Sequence, residues 1–274
     1  MPTSVYKSPM NRAALAILPV LASAAAWGFE LDLAGAGGPL QIQASRSIEW
    51  RRDENVYIAD GNVRAERGGL VLEAEMVRAH YRPDEEGKTQ VDRIEALGGV
   101  TISSPDGTAN GGEATYDLNR SLIVMRGGDL ALRTAEYRIT ARGSLELHQN
   151  ENYAVARGAA RAVRAEESVS AETMVLRFED TDEGGLAARR LEVFGQVEVR
   201  SGENIVTGER GFYDTKALTA EICGNVRLQQ GPNRMAGECA ELDLAKGRSR
   251  LVAGAGQRVS GLFEPGETDL APAQ

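Results

Sequence analysis

The chain reads "SIEWRRDENVYIADGNVRAERG" from Ser47 to Gly68 and, 97 residues further on, "SLELHQNENYAVARGAARAVRA" from Ser144 to Ala165. Each stretch alternates apolar and polar residues, the period of a half-buried strand. Each also carries a glycine in mid-strand, Gly61 and Gly158. Laid at that offset without gaps, residues 44–102 and 141–199 are identical at 18 of 59 positions, too many for two unrelated segments of this composition. The chain is therefore internally duplicated, over about 44–140 and 141–237. Apolar character is kept where identity is not, as in Ile48/Leu145, Trp50/Leu147, Tyr81/Phe178 and Ile94/Leu191.

A shorter beat runs inside each copy. A glycine followed two residues later by an apolar or small residue recurs at Gly61, Gly98, Gly128, Gly158, Gly195 and Gly224. Glycine inside a strand loses side-chain packing and marks a bend, a bulge or a close backbone approach. Repeated at a constant beat, it predicts a column of bends in register, folding every strand along one line. Short turn signals separate the runs: "RRDEN", "SPDG", "DLNRS", "HQNEN", "DTKA", "QQGPN" and "LAKGRS". Connections this short join antiparallel neighbours, because a parallel crossover needs a dozen residues or more. The expected fold is all-β, a creased antiparallel sheet with an apolar inside and a polar outside, spanning residues 40–263. Two longer connections, "YRPDEEGKTQVDR" and "FEDTDEGGLAARR", read as protruding acidic turns, and "EPGETDLAPAQ" (264–274) reads as a disordered tail.

Composition narrows the function. With 40 Asp+Glu against 31 Lys+Arg the net charge is −9, and no basic block exists, so nucleic-acid binding by phosphate neutralisation is not expected. Near the start, Lys7 and Arg12 precede the uncharged run Ala13 to Phe29, with small-residue exit sites at Ala22 to Ala26. This pattern predicts a cleaved signal peptide over residues 1–26 and export to the periplasm. An uncleaved anchor is the rival reading, weakened by Pro19 and by a length at the lower edge for a span. Export would put Cys223 and Cys239 in an oxidising compartment. They flank the turn "QQGPNR". Facing Val226 with Glu238 makes them diagonal neighbours, poorly spaced for a bridge, so a disulfide and two separate thiols both stay open.

Catalytic signals are sparse. His80 and His148 occupy non-matching repeat positions and read as solvated surface side chains. Asp117, Asp214 and Asp243 read as turn formers. Glu75 and Glu172 recur at the bend and suit a structural role there. Two cysteines and two scattered histidines are too few for a metal site, and no cofactor is expected.

Taken together, "GNVRAERGGLVLEAEMV", "GGEATYDLNRSLIVMRGG", "GERGFYDTKALTAEICGNV" and "AGECAELDLAKGRSRL" resemble the OstA-type repeat of the LptA family, over roughly Leu40 to Leu251. That resemblance implies a β-jellyroll, or β-taco, built from duplicated OstA-type repeats. It also implies a non-enzymatic periplasmic bridge that shields lipopolysaccharide acyl chains in an apolar groove between the inner and outer membranes. The implied partners are lipopolysaccharide (lipid A acyl chains), an inner-membrane LptC-like and an outer-membrane LptD-like protein, and further copies of the chain joined head to tail by edge strands. Candidate lipid-binding residues are Ile48, Trp50, Val63, Leu72, Val100, Ile102, Leu130, Leu132, Leu145, Val197, Val199, Val226 and Leu228. The bland reading is that most of these simply pack as core. Two other functions are compatible with parts of the pattern: an inner-membrane-anchored, LptC-like component of the same pathway, and a polysaccharide-active enzyme on a parallel β-helix.

Overall fold

The computed structural model describes residues 40–83, 89–181 and 185–263. The expected signal peptide, the tips of both acidic turns and the C-terminal tail lie outside the described residues. Within them, eighteen strands form one sheet. The first half holds β1 (Gln41–Gln43), β2 (Ser47–Arg51), β3 (Val56–Arg67), β4 (Leu70–Pro83), β5 (Thr89–Ser104), β6 (Gly107–Asp117), β7 (Leu122–Arg126) and β8 (Ala131–Thr134). Then come β9 (Arg138–Thr140), β10 (Ser144–His148), β11 (Tyr153–Arg164), β12 (Glu167–Asp180), β13 (Leu186–Ser201), β14 (Asn204–Asp214), β15 (Thr219–Gln230), β16 (Asn233–Asp243), β17 (Arg248–Val252) and β18 (Ser260–Leu262). Strand bounds repeat at the offset of 97: β2 matches β10, and β3 to β6 match β11 to β14 residue for residue.

Four rows of the sheet are broken strands. β1 and β2 both pair with β3, β7 and β8 with β6, β9 and β10 with β11, and β17 and β18 with β16. Joining each pair turns the eighteen strands into fourteen rows of an antiparallel meander. This antiparallel pairing throughout excludes the parallel β-helix. The sheet is also continuous between the two halves, where β7 pairs with β10 and β8 with β9.

The crease is built where two consecutive residues take positive φ. Gly61 and Asn62 do so in β3, Gly98 and Gly99 in β5, and Gly158 and Ala159 in β11. Gly195 and Gln196 in β13, and Gly224 and Asn225 in β15, repeat the arrangement. Each pair inserts an extra residue and shifts the ladder, as between Asp60 and Val63 or Leu97 and Val100. Such bulges bend and twist a strand. In the remaining row the pair is Gly127 and Gly128. The true counterpart of Gly224 is therefore Gly127, 97 residues earlier, rather than the Gly128 picked out by its following leucine. Alternate rows carry the glycine, and the row between supplies what it faces. A Cβ on Gly98 would sit 2.8 Å from the Glu75 Cβ, and one on Gly195 would sit 2.8 Å from the Glu172 Cβ. The recurring glutamates thus stand at the crease.

After each bulge the strand resumes with a side chain turned inward at the apex. Val63, Val100, Val197 and Val226 are all at most 1% exposed. Burying a valine contributes about 1.5–3 kcal/mol, so these four help hold the crease shut. From there the inner face runs uncharged across the whole sheet. One register passes through Ile42, Ala65, Leu72, Ile102, Ala109 and Leu132. It continues through Ile139, Ala162, Val169, Val199, Val206, Leu228, Met235 and Gly261. On the facing wall a second register runs from Ile48 through Ala59, Val77, Ala96, Ala114 and Met125 to Leu145, and on to Leu251. Charges lie outside as cross-strand pairs, such as Arg64 with Glu73 at 2.7 Å and Arg46 with both Asp60 (2.7 Å) and Glu75 (2.6 Å).

Cys223 and Cys239 are joined in a disulfide and face each other directly, not diagonally. The turn sets Val226 opposite Gly237, and the bulge at Gly224 and Asn225 then takes up one extra residue against Glu238, which brings the cysteines into register. Each aspartate at a turn accepts from the backbone, Asp117 from the Arg120 N–H (3.1 Å) and Asp243 from the Lys246 N–H (2.9 Å). Asp214 accepts from Ala217 (2.6 Å) and Lys216 (3.1 Å) and pairs with Arg189. Burial raises its carboxyl pKa, but the Arg189 guanidinium and the two turn amides outweigh burial and hold it below the usual range.

Candidate functional site

The two walls do not close on each other everywhere. At the middle of the sheet they enclose an apolar chamber of about 130 Å³. One wall contributes Ala109, Leu132, Ile139, Ala162 and Val169, and the other Met125, Leu145, Ala156, Met174 and Leu176. Tyr137, Phe178 and Leu191 complete it. The space traces to β11. Its inward positions, Ala154, Ala156, Ala160 and Ala162, are all alanine. The matching positions of β3 hold Tyr57, Ala59, Val63 and Ala65. Elsewhere in the interior, the space bounded by Leu72, Ile94, Ile102 and Tyr116 is only about 20 Å³.

The predicted lining residues divide into four groups. Val63, Val100, Val197 and Val226 pack at the crease apex, and Leu72, Ile102, Leu130, Val199 and Leu228 are buried along the interior. Leu132 and Leu145 face the chamber. Ile48 and Trp50 depart from the expected interior placement. Register puts them on the inner face, opposite Ala59 and Tyr57, yet they are 60% and 49% exposed. The reason is position in the sheet, since among the described residues β2 pairs only with β3 and no further row covers it. Trp50 is held there by stacking on Tyr57 (centroids 5.5 Å), by donating from Nε1 to the Tyr81 hydroxyl (2.7 Å), and by Arg52 over its ring (3.9 Å). At the opposite end, Val259, Leu262 and Phe263 are exposed beside the last row. Both sheet edges thus carry exposed apolar side chains and are unpaired among the described residues.

Sequence reading missed the residues that shape the chamber most: Ala154, Ala156 and Ala162 in β11, with Met125, Met174 and Tyr137. The available signal was the run of small residues at positions where the first copy carries a tyrosine and a valine.

The two histidines stay apart. His80 lies 3.4 Å from Glu95. His148 is not solvated as expected, but stacks on Tyr153 (centroids 4.1 Å) beside Glu146 (3.5 Å) and Glu151 (3.3 Å). Glu146 shows how local the outer-face electrostatics are. Burial raises its pKa, and bonds from Ser144 and Arg157 bring it below the usual value. Among the described residues no group of three or more His, Cys, Asp or Glu is gathered as a metal site.

No curated protein matches the chain in sequence. Among solved structures it is similar to LptH, described as the LptA homologous periplasmic component of the conserved lipopolysaccharide transport device from Pseudomonas aeruginosa. The identity is 15% and the TM-score 0.40, over 47% of this chain and 95% of that one. Residues 41–142 match the family described as LptA/(LptD N-terminal domain) LPS transport protein. This stretch holds β1 to β9, including the first three glycine bulges and the rows that lead into the chamber. Over residues 41–142, then, the chain is similar to the LptA/(LptD N-terminal domain) family of LPS transport proteins.

Proposed function

We propose that the protein is a non-enzymatic periplasmic carrier and bridge that holds lipopolysaccharide acyl chains inside the creased sheet while sugars and phosphates stay in water. One observation carries this reading: uncharged inner registers run from the first row to the last without interruption, and widen at the middle into an apolar chamber. The physical need is large. Exposing an alkyl chain to water costs about 0.8 kcal/mol per methylene, on the order of 10 kcal/mol for a dozen carbons. With a net charge of −9, affinity comes from the acyl chains and not from attraction to phosphate. The exported unit in this reading starts after residues 1–26. An LptC-like protein upstream and an LptD-like protein downstream are its partners. The test is mass spectrometry of lipid co-purified with the native protein from its own envelope. Acylated glycolipid at about one molecule per chain supports the carrier, and protein that never yields lipid overturns it.

Bridging needs open ends. Among the described residues, the edges β1/β2 and β17/β18 keep unpaired backbone groups beside exposed Ile42, Ile48, Leu262 and Phe263. Unprotected edges recruit further strands. In this proposal copies join head to tail and align their interiors. Prolines at alternate positions of Arg248–Val252 whose amides face away from β16 are expected to abolish concentration-dependent oligomers and leave the monomer's circular dichroism unchanged. Oligomers that survive both prolines exclude edge pairing at this end.

A further inference from the structure

Two spaces in the interior share a boundary, and one flexible side chain stands on it. Toward the first copy, the chamber of about 130 Å³ ends at Ala109 of β6 on one wall and Met125 of β7 on the other. The smaller space of about 20 Å³ begins at their cross-strand neighbours, Ile102 opposite Ala109 and Ala114 opposite Met125. Ile123 lines both. Met125 is 3% exposed, and its terminal methyl lies over Gly111 of β6, where an added Cβ would sit 3.3 Å from the Met125 Cε. The methyl thus rests in a notch left by the missing side chain, on the row that leads out of the chamber. The duplicated chain provides an internal comparison. The notch recurs 97 residues later at Gly208, where an added Cβ would meet the Ile222 Cγ2 at 2.5 Å. Three rows along the same register from Met125, Met174 lines the chamber where the first copy has Val77. At both places the chamber carries methionine and the other copy a β-branched residue. A β-branched side chain is held near one χ1 rotamer, whereas methionine turns about three torsions and adapts to irregular space.

Resting on the groove reading, we propose that Met125 is a movable partition that sets the length of alkyl chain the chamber accepts. With its methyl in the notch, the chamber is closed toward the first copy. Rotation about the outer torsions withdraws the methyl and joins the two spaces into one longer apolar slot. The ligand class is an unbranched alkyl chain longer than the closed chamber, with its last carbons between Ile102 and Ala114. The smaller space adds room for about one or two methylenes. Each buried methylene raises affinity about fourfold.

The test measures binding of decanoate and palmitate, below their micelle concentrations, to the full chain by calorimetric titration. Wild type is compared with Met125→Ile and Met125→Ala, and is itself expected to prefer palmitate. Met125→Ile installs the side chain that the second copy carries, which does not leave the notch, and is expected to cut that preference about tenfold. Met125→Ala removes the partition and is expected to keep the preference or enlarge it. A methionine that only fills space would shift both variants in one direction, because both lose its packing. The same length preference in wild type and Met125→Ile overturns the proposal and leaves the groove reading standing. Equal binding of the two probes by wild type does the same. So does a preference that falls in Met125→Ala, and that variant decides alone if Met125→Ile fails to fold. Binding of neither probe to wild type removes the groove reading and this inference together.

Discussion

Gly195→Val is expected to lower the melting temperature by roughly 6–12 °C, corresponding to a loss of about 3 kcal/mol. Two effects add. The residue sits at φ +76°, in the left-handed region where a β-branched side chain is strongly disfavoured. Its new Cβ would also lie 2.8 Å from the Glu172 Cβ, a backbone-anchored atom that cannot rotate away. Relief requires undoing the bulge, and with it the inward turn of Val197, which is 1% exposed. Gly98→Val should behave alike, since Gly98 meets Glu75 at the same 2.8 Å with φ +83°. Gly202→Ala is the control. It too has positive φ, +55°, but nothing lies within 4 Å of its Cβ, so only the backbone term of about 1 kcal/mol applies. Thermal melts of the three variants decide the matter. If Gly195→Val melts within a degree of wild type, the glycine column does not hold the crease.

Ala156→Leu is expected to separate folding from binding. Ala156 lies between Leu145 and Met174 in the register and faces the chamber. Three added carbons enter a space of about 130 Å³ lined by apolar atoms. Stability is expected to stay level or rise by up to about 1 kcal/mol, as in other cavity-filling changes. Binding of a long-chain lipid is expected to fall at least tenfold, because the leucine occupies the place of the chain. The twin substitution Ala59→Leu gives the opposite pattern. Ala59 is buried in the packed part of the core and is not among the chamber residues. Overpacking there is expected to cost about 1–3 kcal/mol. Lipid affinity unchanged in a folded Ala156→Leu protein places the acyl chains outside the chamber.

Much of this architecture is legible in residue pattern alone. Alternation at period two marks the strands, and short turns between them dictate antiparallel neighbours. Glycines at a shared beat mark the bends, because only glycine takes φ near +80° without a clash, as at Gly61, Gly98 and Gly158. These are local properties, set by a residue and its near neighbours, so the sequence determines them by itself. The same holds for turn aspartates such as Asp243, whose partner amide is three residues away.

What the tertiary structure alone decided is how distant rows meet. Counting back from the turn sets Cys223 diagonal to Cys239, but the bulge adds a residue on one strand and brings them face to face. Face and burial also separate. Ile48 and Trp50 lie on the apolar face by parity, yet stand exposed because burial needs a neighbouring row and β2 is the edge. The chamber is the furthest from view. It depends on which wall positions oppose β11 across the interior, and an alanine reads as small packing until the opposing side chains are known not to fill the gap. Local chemistry sets the strands, the bends and their order. The space between the walls is a property of pairs of residues far apart in the chain, and only the folded sheet brings those pairs together.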